Sequence, residues 1–186
     1  MSSSKSRLVV LAGPTAVGKG TVAAYVRETF PDVWVSVSMT TRKPRPREVD
    51  GVHYHFVDDE QFERMREAGE LLEWAVVHGR AKYGTPRGPV EQALAAGRRA
   101  LLEIDLQGAR QVRQQIPEAL FVFLAPPNWD ELVRRLVGRG TESEAERRVR
   151  LATARQELAA QQEFDVTIVN DNVQRASEEL VSLMRA

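Results

Sequence analysis

Short apolar runs alternate with amphipathic segments along the chain. The apolar runs predict strands at 7–12, 33–38, 52–57, 71–78, 100–104, 120–124 and 166–169. Segments in which apolar side chains recur every three or four residues predict helices at 19–30, 58–68, 86–96, 106–115, 128–137, 144–161 and 173–184. Because strand and helix follow each other over most of the chain, the pattern predicts an α/β fold with a mostly parallel sheet flanked by helices.

Residues that start helices mark two of these boundaries. Thr85 followed by Pro86 is typical of a helix cap and first turn. Ser143 with Glu146 three residues later has the spacing of a capping box. The stretch 39–51 is rich in proline and basic residues, so it predicts a stiff basic loop.

The two classes of charged residue balance each other. There are 26 Lys and Arg against 26 Asp and Glu, which argues against a general nucleic-acid or membrane-surface binder, since these carry a basic excess.

The chain has no cysteine, which excludes disulfides, zinc–thiolate sites and cysteine nucleophiles. Neither a signal-peptide stretch nor a membrane-spanning run is visible, so we expect a cytoplasmic protein. No pattern indicates an oligomeric state.

Arginine supplies 22 of the 26 basic residues, so a single arginine carries little information and only its placement counts. The arginine-rich region 134–155 has too few apolar positions for a full core element. We therefore expect it to form a mobile lobe on the surface.

A glycine-rich stretch separates the first predicted strand from the first predicted helix. Its residues are Gly13, Pro14, Thr15, Ala16, Val17, Gly18, Lys19, Gly20 and Thr21. In this context backbone N–H groups surround an anion, the helix dipole adds positive potential, and Lys19 reaches the β- and γ-phosphates. The alternative is an ordinary strand-to-helix turn, which the order of strand, loop and helix disfavours. The stretch therefore predicts a phosphate-binding loop for a nucleoside triphosphate.

One position departs from the usual loop pattern. A Ser or Thr hydroxyl normally follows the lysine and ligates Mg²⁺, but here Gly20 follows and Thr21 comes next. We therefore expect Mg²⁺ to be held mainly by nucleotide oxygens and water, with Thr21 or Asp105 as the candidate protein ligands.

A second candidate for anion binding lies in the basic loop. Arg42 and Arg45 stand three residues apart on a segment stiffened by prolines, which suits bidentate capture of a phosphate. From these residues alone, a solvated basic loop is an equally good interpretation.

Eight motifs in the chain together indicate a family. They are GPTAVGKGT, SMTTRKPRPREVDGVHYHF, GELLEWA, YGTP, LEIDLQGA, VFLAPP, GRGTE and IVND. They run in order from Leu8 to about Asp171, and the chain closely resembles guanylate kinases. The resemblance implies a P-loop kinase core (5–37, 88–130 and 156–186), an inserted GMP-binding lobe (about 38–87) and a helical lid (about 131–155). It also implies transfer of the γ-phosphoryl group of ATP to GMP, and to dGMP, with Mg²⁺ as cofactor.

The resemblance assigns site residues by motif position. The residues assigned to GMP are Ser38, Arg42, Arg45, Tyr54, Glu73, Tyr83, Thr85 and Asp105. Those assigned to ATP, beyond the phosphate loop, are Arg135, Arg139 and Asn170, the last near the adenine. The residues expected to be catalytic are Lys19, Arg42, Arg139 and Arg150. Asp105 and Glu103 also end an apolar strand beside the expected phosphate site, where an acid fits a metal role through water.

The chemistry of guanine agrees with this assignment. Guanine presents N1–H and an exocyclic amine as donors beside the O6 acceptor, so Glu73 can accept while Ser38 and Thr85 donate. Adenine has the opposite pattern and would leave buried groups unpaired. From the residues alone, Glu73 is better explained as part of the polar face of a strand, and half-buried packing is an alternative for Tyr54 and Tyr83.

Other functions remain as alternatives. A non-catalytic guanylate-kinase-like interaction module tends to lose the loop lysine and lid arginines, which this chain keeps. A kinase for another nucleoside monophosphate is disfavoured by Glu73 with Ser38 and Thr85. His53 and His55 could suggest a metal pair, but no third ligand is apparent in the sequence.

Overall fold

The computed structural model describes residues 7–77, 79–137 and 143–186. The helices in these ranges are α1 (Lys19–Thr29), α2 (Asp59–Glu67), α3 (Arg87–Ala95), α4 (Leu106–Gln115), α5 (Trp129–Val137), α6 (Glu144–Ala159) and α7 (Val173–Arg185). The strands are β1 (Leu8–Ala12), β2 (Val33–Val35), β3 (Met39–Thr40), β4 (His55–Phe56), β5 (Leu71–Val77), β6 (Ala81–Pro86), β7 (Arg99–Glu103), β8 (Leu120–Ala125) and β9 (Val166–Val169). None of the helices described is both long and apolar enough to cross a bilayer.

The main sheet has five parallel strands in the order β2-β7-β1-β8-β9, with helices on both faces. Every residue of β1 is at most 1% exposed, because a central strand of a parallel sheet is covered on both sides. Val9 and Leu11 pack with α1 and α7, whereas Leu8 and Val10 pack with α3 and α4. The predicted α/β fold is confirmed, and its core lies directly beneath the loop that follows β1.

A second, smaller sheet of four strands forms within residues 39–86, in the order β4-β3-β6-β5. Strands β5 and β6 are antiparallel neighbours, and their register sets Glu73 opposite Thr85. Met39, Phe62 and Leu71 form the buried cluster of this part of the chain. Side chains of β5 and β6 line one cavity with Ile104 and Asp105, which follow the carboxyl end of β7.

The predicted helix start at Thr85 and Pro86 is wrong. Both residues belong to β6, and α3 begins at Arg87 without a side-chain cap. The physical reason is a tertiary contact: Thr85 is fully buried and its hydroxyl donates to Glu73 at 2.6 Å, which keeps the backbone extended. Pro86 is compatible with the end of a strand as well as with a first helical turn.

The predicted strand 52–57 is also largely wrong. Only His55–Phe56 forms a strand, because the preceding residues make a turn in which the N–H groups of Val52 and His53 both bond the carbonyl of Val49. The predicted loop 39–51 likewise begins with β3, which pairs with β6 in the small sheet. Both errors arise where pairing between distant segments decides the local structure.

Helices α5 and α6 pack on each other around Leu132, Leu136 and Ala154, with Trp129 and Leu151 beside them. This region has a small apolar cluster of its own, although the sequence predicted too few apolar positions for one. The capping box at Ser143 is confirmed, with both of its reciprocal hydrogen bonds. The predicted break 138–141, including Arg139, and position 78 lie outside the described residues.

Phe62 gives a direct test of how the small sheet is held. It is the one buried side chain of α2 and is fully buried against the small sheet. We expect Phe62→Ala to lower the free energy of unfolding by about 3–5 kcal/mol, because it leaves a cavity, and Phe62→Leu to lower it by less than about 1.5 kcal/mol. Urea titration followed by tryptophan fluorescence measures both. Equal losses for the two variants would contradict this packing.

Candidate active site

The phosphate loop leaves no room for side chains at two of its glycines. A Cβ atom at Gly13 would lie 2.4 Å from the carbonyl oxygen of Leu124. At Gly18, φ is +101°, and a Cβ would lie 2.7 Å from the side-chain nitrogen of Asn170. Ala16 also has positive φ, at 67°, so the loop holds a backbone conformation that non-glycine residues seldom adopt. At Gly20, by contrast, nothing lies within 4 Å of a Cβ.

The Lys19 side chain bends back over the loop. Its Nζ donates to the carbonyl oxygens of Gly13 at 2.8 Å and Pro14 at 3.2 Å. Burial lowers the pKa of Lys19, while the nearby carboxylates of Glu103, Glu157 and Asp105 act to raise it. The ammonium is therefore fixed at the mouth of the loop, in surroundings where its field is weakly screened.

Three side chains from distant parts of the chain hold the loop. Asn170, which is buried, donates to the carbonyl of Val17 at 2.9 Å, and Arg135 donates to the same oxygen at 3.1 Å. Glu157 of α6 accepts from the backbone N–H of Thr15 at 2.9 Å. Asn170 and Arg135 thus hold the loop at the Val17 carbonyl.

The loop faces a cavity of about 280 Å³ between the two sheets. Its lining from the loop includes Thr15, Ala16 and Lys19. Facing them, from the small sheet and the ends of the main strands, are Ser38, Tyr54, Glu73, Ala75, Val77, Tyr83, Glu103, Ile104 and Asp105. Residues assigned to ATP and to GMP therefore meet in one cavity.

The Arg42 side chain is held in place by bonds to other residues of the protein. Its guanidinium makes two parallel bonds to Glu48, at 2.9 and 3.0 Å, and its Nε donates to the hydroxyl of Tyr83 at 3.2 Å. The same guanidinium lies 5.4 Å from the ring centre of Tyr54. Glu48 also accepts from the backbone N–H of Arg45, whose side chain is exposed. The hydrogen bond from Arg42 lowers the pKa of Glu48 to about 2, so the pair stays ionised at neutral pH.

Glu73 is a carboxyl group in an unusual environment. It is only 4% exposed, and its Oε1 accepts the Thr85 hydroxyl. Burial raises its pKa from 4.5 to about 7; the Asp105 carboxylate adds to this, and the Thr85 bond opposes it. Since the folded-state pKa is the higher one, ionised Glu73 costs folding free energy that grows as pH rises from 4.5 and is complete above about 7. Donors from a ligand would offset that cost.

Asp105 and Glu103 stand at the end of β7. Asp105 caps α4, its Oδ1 accepting the N–H of Gly108 at 2.8 Å. Burial raises the pKa of Glu103, and Lys19 and Arg27 oppose the shift. Within the described residues no group of three or more His, Asp or Glu is placed to hold a metal ion. An ion here would depend on oxygens from a ligand and water, with one carboxylate such as Asp105.

The remaining assigned residues lie away from this cavity. Arg150 donates to the carbonyl of Leu136 at 3.4 Å and so joins α6 to α5. Thr21 is exposed on the first turn of α1. Sequence reasoning missed Glu48, which could have been noticed as an acid beside the basic cluster, and Glu157, for which the sequence carries no local signal.

Comparisons with known proteins show the family of the chain. A family model described as guanylate kinase matches residues 5–186. A guanylate kinase from Leifsonia xyli subsp. xyli is 64% identical over 180 residues, covering 97% of this chain and 71% of the relative. One from Thermobifida fusca is 59% identical over 180 residues, covering 97% and 91%.

A solved structure extends the agreement to three dimensions. The crystal structure of guanylate kinase from Anaplasma phagocytophilum has a TM-score of 0.76 and 31% identity to this chain. The match covers 96% of this chain and 84% of that one. The family model, the relatives and the solved structure are all guanylate kinases, so the chain belongs to the guanylate kinase family.

Proposed function

We propose a division of roles by which this guanylate kinase transfers the γ-phosphoryl group of ATP to GMP, giving ADP and GDP. The phosphate loop 13–21 holds ATP, the lobe 38–87 holds GMP, and the lid 131–155 closes over the reacting groups. The observation that supports this most is the single cavity in which Lys19 faces Glu73 and Tyr83. We also propose that dGMP is accepted and that the reaction supplies guanine nucleotides in the cytoplasm.

On the donor side, Lys19 binds the β- and γ-phosphates together with the N–H groups of the loop. Its bonds to Gly13 and Pro14 hold the ammonium at the mouth of the loop, so little reorganisation is needed when ATP enters. Asn170 and Arg135 act on ATP by fixing the Val17 carbonyl, which sets the shape of the loop.

On the acceptor side, Arg42 and Arg45 bind the GMP phosphate, with hydroxyl groups from Tyr54 and Tyr83. Glu48 fixes the Arg42 fork in advance, so the side chain loses little conformational freedom when the phosphate binds. Glu48 bonds Nη1 and Nη2 of this guanidinium. The phosphate is therefore held at the other edge of the guanidinium, beside the Tyr83 hydroxyl.

Glu73 reads the guanine base, with Ser38 and Thr85. Its carboxylate accepts from guanine N1–H and the exocyclic amine, while the Ser38 hydroxyl donates to O6, since the Thr85 proton is already donated to Glu73. The raised pKa of Glu73 supports this role, because a carboxylate that lacks solvent gains more from two ligand donors than an exposed one does. Adenine supplies no donors in these positions and would leave Glu73 without partners on the base.

During transfer, an oxygen of the GMP phosphate attacks the γ-phosphorus, and the bond to the bridging oxygen of ADP breaks. Charge on the transferred group is stabilised by Lys19, Arg42 and the lid residues Arg139 and Arg150. Asp105 or Thr21 would provide the protein contact to Mg²⁺, and the ion would supply further positive charge to the phosphates. Closure of the lid keeps water from the reacting group.

The reaction itself is tested by a coupled assay that measures ADP formation from ATP with GMP, dGMP, AMP or UMP. We expect turnover with GMP and dGMP and at least a hundredfold lower kcat/KM with AMP, because AMP gives the buried Glu73 carboxylate no donors from the base. No ADP formation with GMP would refute the function and favour a non-catalytic binding module. Faster turnover of AMP would indicate a kinase for another nucleotide.

The role of Lys19 is tested by Lys19→Ala. We expect kcat to fall by at least about a hundredfold, because a fixed cation at the transferred phosphate is lost. The Kd for GMP, measured by calorimetric titration, should change by less than about threefold, because the acceptor contacts are untouched. If GMP affinity falls as steeply as kcat, the separation into donor and acceptor sites is wrong.

The raised pKa of Glu73 predicts a pH dependence. Its ionised form binds the guanine donors, so the KM for GMP should decrease as pH rises through about 7, whereas the KM for ATP should not. In Glu73→Gln, the KM for GMP should be higher and flat between pH 6 and 8. Initial rates over that range measure both, and a pH-dependent KM retained by Glu73→Gln would assign the titration to another group.

A further inference from the structure

Strand β5, which carries Glu73, lies at the edge of the small sheet. It pairs with β6 on one side, and its outward backbone groups need partners from elsewhere. Helix α4 supplies them through glutamine side chains. Gln111 accepts from the N–H of Trp74 at 3.0 Å and donates to its carbonyl at 2.6 Å, so the amide replaces a neighbouring strand.

The other side of Glu73 is held in the same way. Gln115 donates to the carbonyl of Leu72 at 2.5 Å, and Gln115 itself accepts from Arg87 at 2.6 Å. The two residues that flank Glu73 in β5, Leu72 and Trp74, are therefore both bonded to α4. The Glu73 backbone cannot shift along or away from α4 without breaking one of these bonds.

The Glu73 carboxyl group rests directly on the α4 backbone at Gly108. A Cβ atom at Gly108 would lie 2.4 Å from Oε2 of Glu73 and 2.9 Å from its Cδ. Gly108 has no positive φ, so the absence of a side chain is explained by this contact and not by backbone conformation. A methyl group there would push the carboxyl group away from its bond to Thr85.

One face of α4 therefore contacts two of the three carboxyl groups that line the cavity, Glu73 and Asp105. Asp105 caps the helix and bonds the N–H of Gly108, while Gly108, Gln111 and Gln115 follow at spacings of three and four residues, which a helix places on one side. This arrangement fixes the position of Glu73 relative to Asp105.

We propose that Gly108 and Gln111 are positioning residues that set the Glu73 carboxylate in register with the guanine base. Neither has to touch the nucleotide: Gly108 leaves space for the carboxyl group, and Gln111 holds the strand that carries it. The inference rests on the proposed role of Glu73 as the base reader, and it makes nucleotide selectivity depend on a helix of the core.

The test compares Gly108→Ala and Gln111→Ala with Gln114→Ala, a matched change at an exposed glutamine of the same helix for which the structure gives no side-chain bond. The readouts are kcat/KM with GMP and with IMP, and the KM for ATP. Because IMP lacks the exocyclic amine, it lacks one of the donors that Glu73 accepts. Circular dichroism verifies that each variant is folded.

We expect the ratio of kcat/KM for GMP to that for IMP to fall roughly tenfold in Gly108→Ala and in Gln111→Ala, because a displaced carboxylate loses the amine bond first. The KM for ATP should stay within about twofold, and Gln114→Ala should match the unmodified chain. If kcat/KM falls by the same factor with GMP and with IMP, the ratio is unchanged, the role is merely structural and the proposal is overturned. The proposal is also overturned if kcat/KM changes with neither nucleotide. If Gly108→Ala does not fold, Gln111→Ala decides alone.

The same assay separates this inference from the proposed role on which it rests. If Glu73→Gln leaves the GMP to IMP ratio unchanged, Glu73 does not read the base, and the proposed role itself fails. If Glu73→Gln lowers the ratio but Gly108→Ala and Gln111→Ala do not, the base reader stands and its positioning by α4 is refuted.

Discussion

The active site depends on how tightly the phosphate loop packs against the backbone of its neighbours. Gly13 lies against the Leu124 carbonyl in β8, and Gly18 lies against the side chain of Asn170. Backbone groups inside a parallel sheet cannot move aside as an exposed side chain can. The main sheet therefore fixes the position of Lys19, and the other functional groups are placed relative to it.

The cavity is lined by charges of both signs. Lys19 lines it together with the carboxyl groups of Glu73, Glu103 and Asp105, and burial raises the pKa of Glu73 and of Glu103. Phosphates would be repelled by these acids, so the cations Lys19 and Arg42 must stand where phosphate groups arrive.

The sequence was sufficient for the parts of the molecule that local rules determine. The main strands, the phosphate loop and the capping box at Ser143 follow from apolar runs and residue spacing. Thr85 was misassigned because its buried bond to Glu73, from a strand twelve residues away, overrides a good helix-start signal. The Thr15 to Glu157 contact spans 142 residues, and no local pattern could indicate it. The resemblance to a family named the site residues, but only coordinates could give their partners.

The strand that carries Glu73 and the helices α5 and α6 are connected to the phosphate loop by different routes. The route to the strand begins with backbone pairing in the main sheet: β1 pairs with β7, β7 leads into α4, and the Gln111 side chain of α4 bonds the backbone of β5. Helices α5 and α6 reach the loop through the side chains of Arg135 and Glu157. Side-chain links exchange partners more easily than a backbone ladder does. The fold thus connects β5 to the loop partly through the buried main sheet, and α5 and α6 through side-chain bonds that are exposed or part-buried.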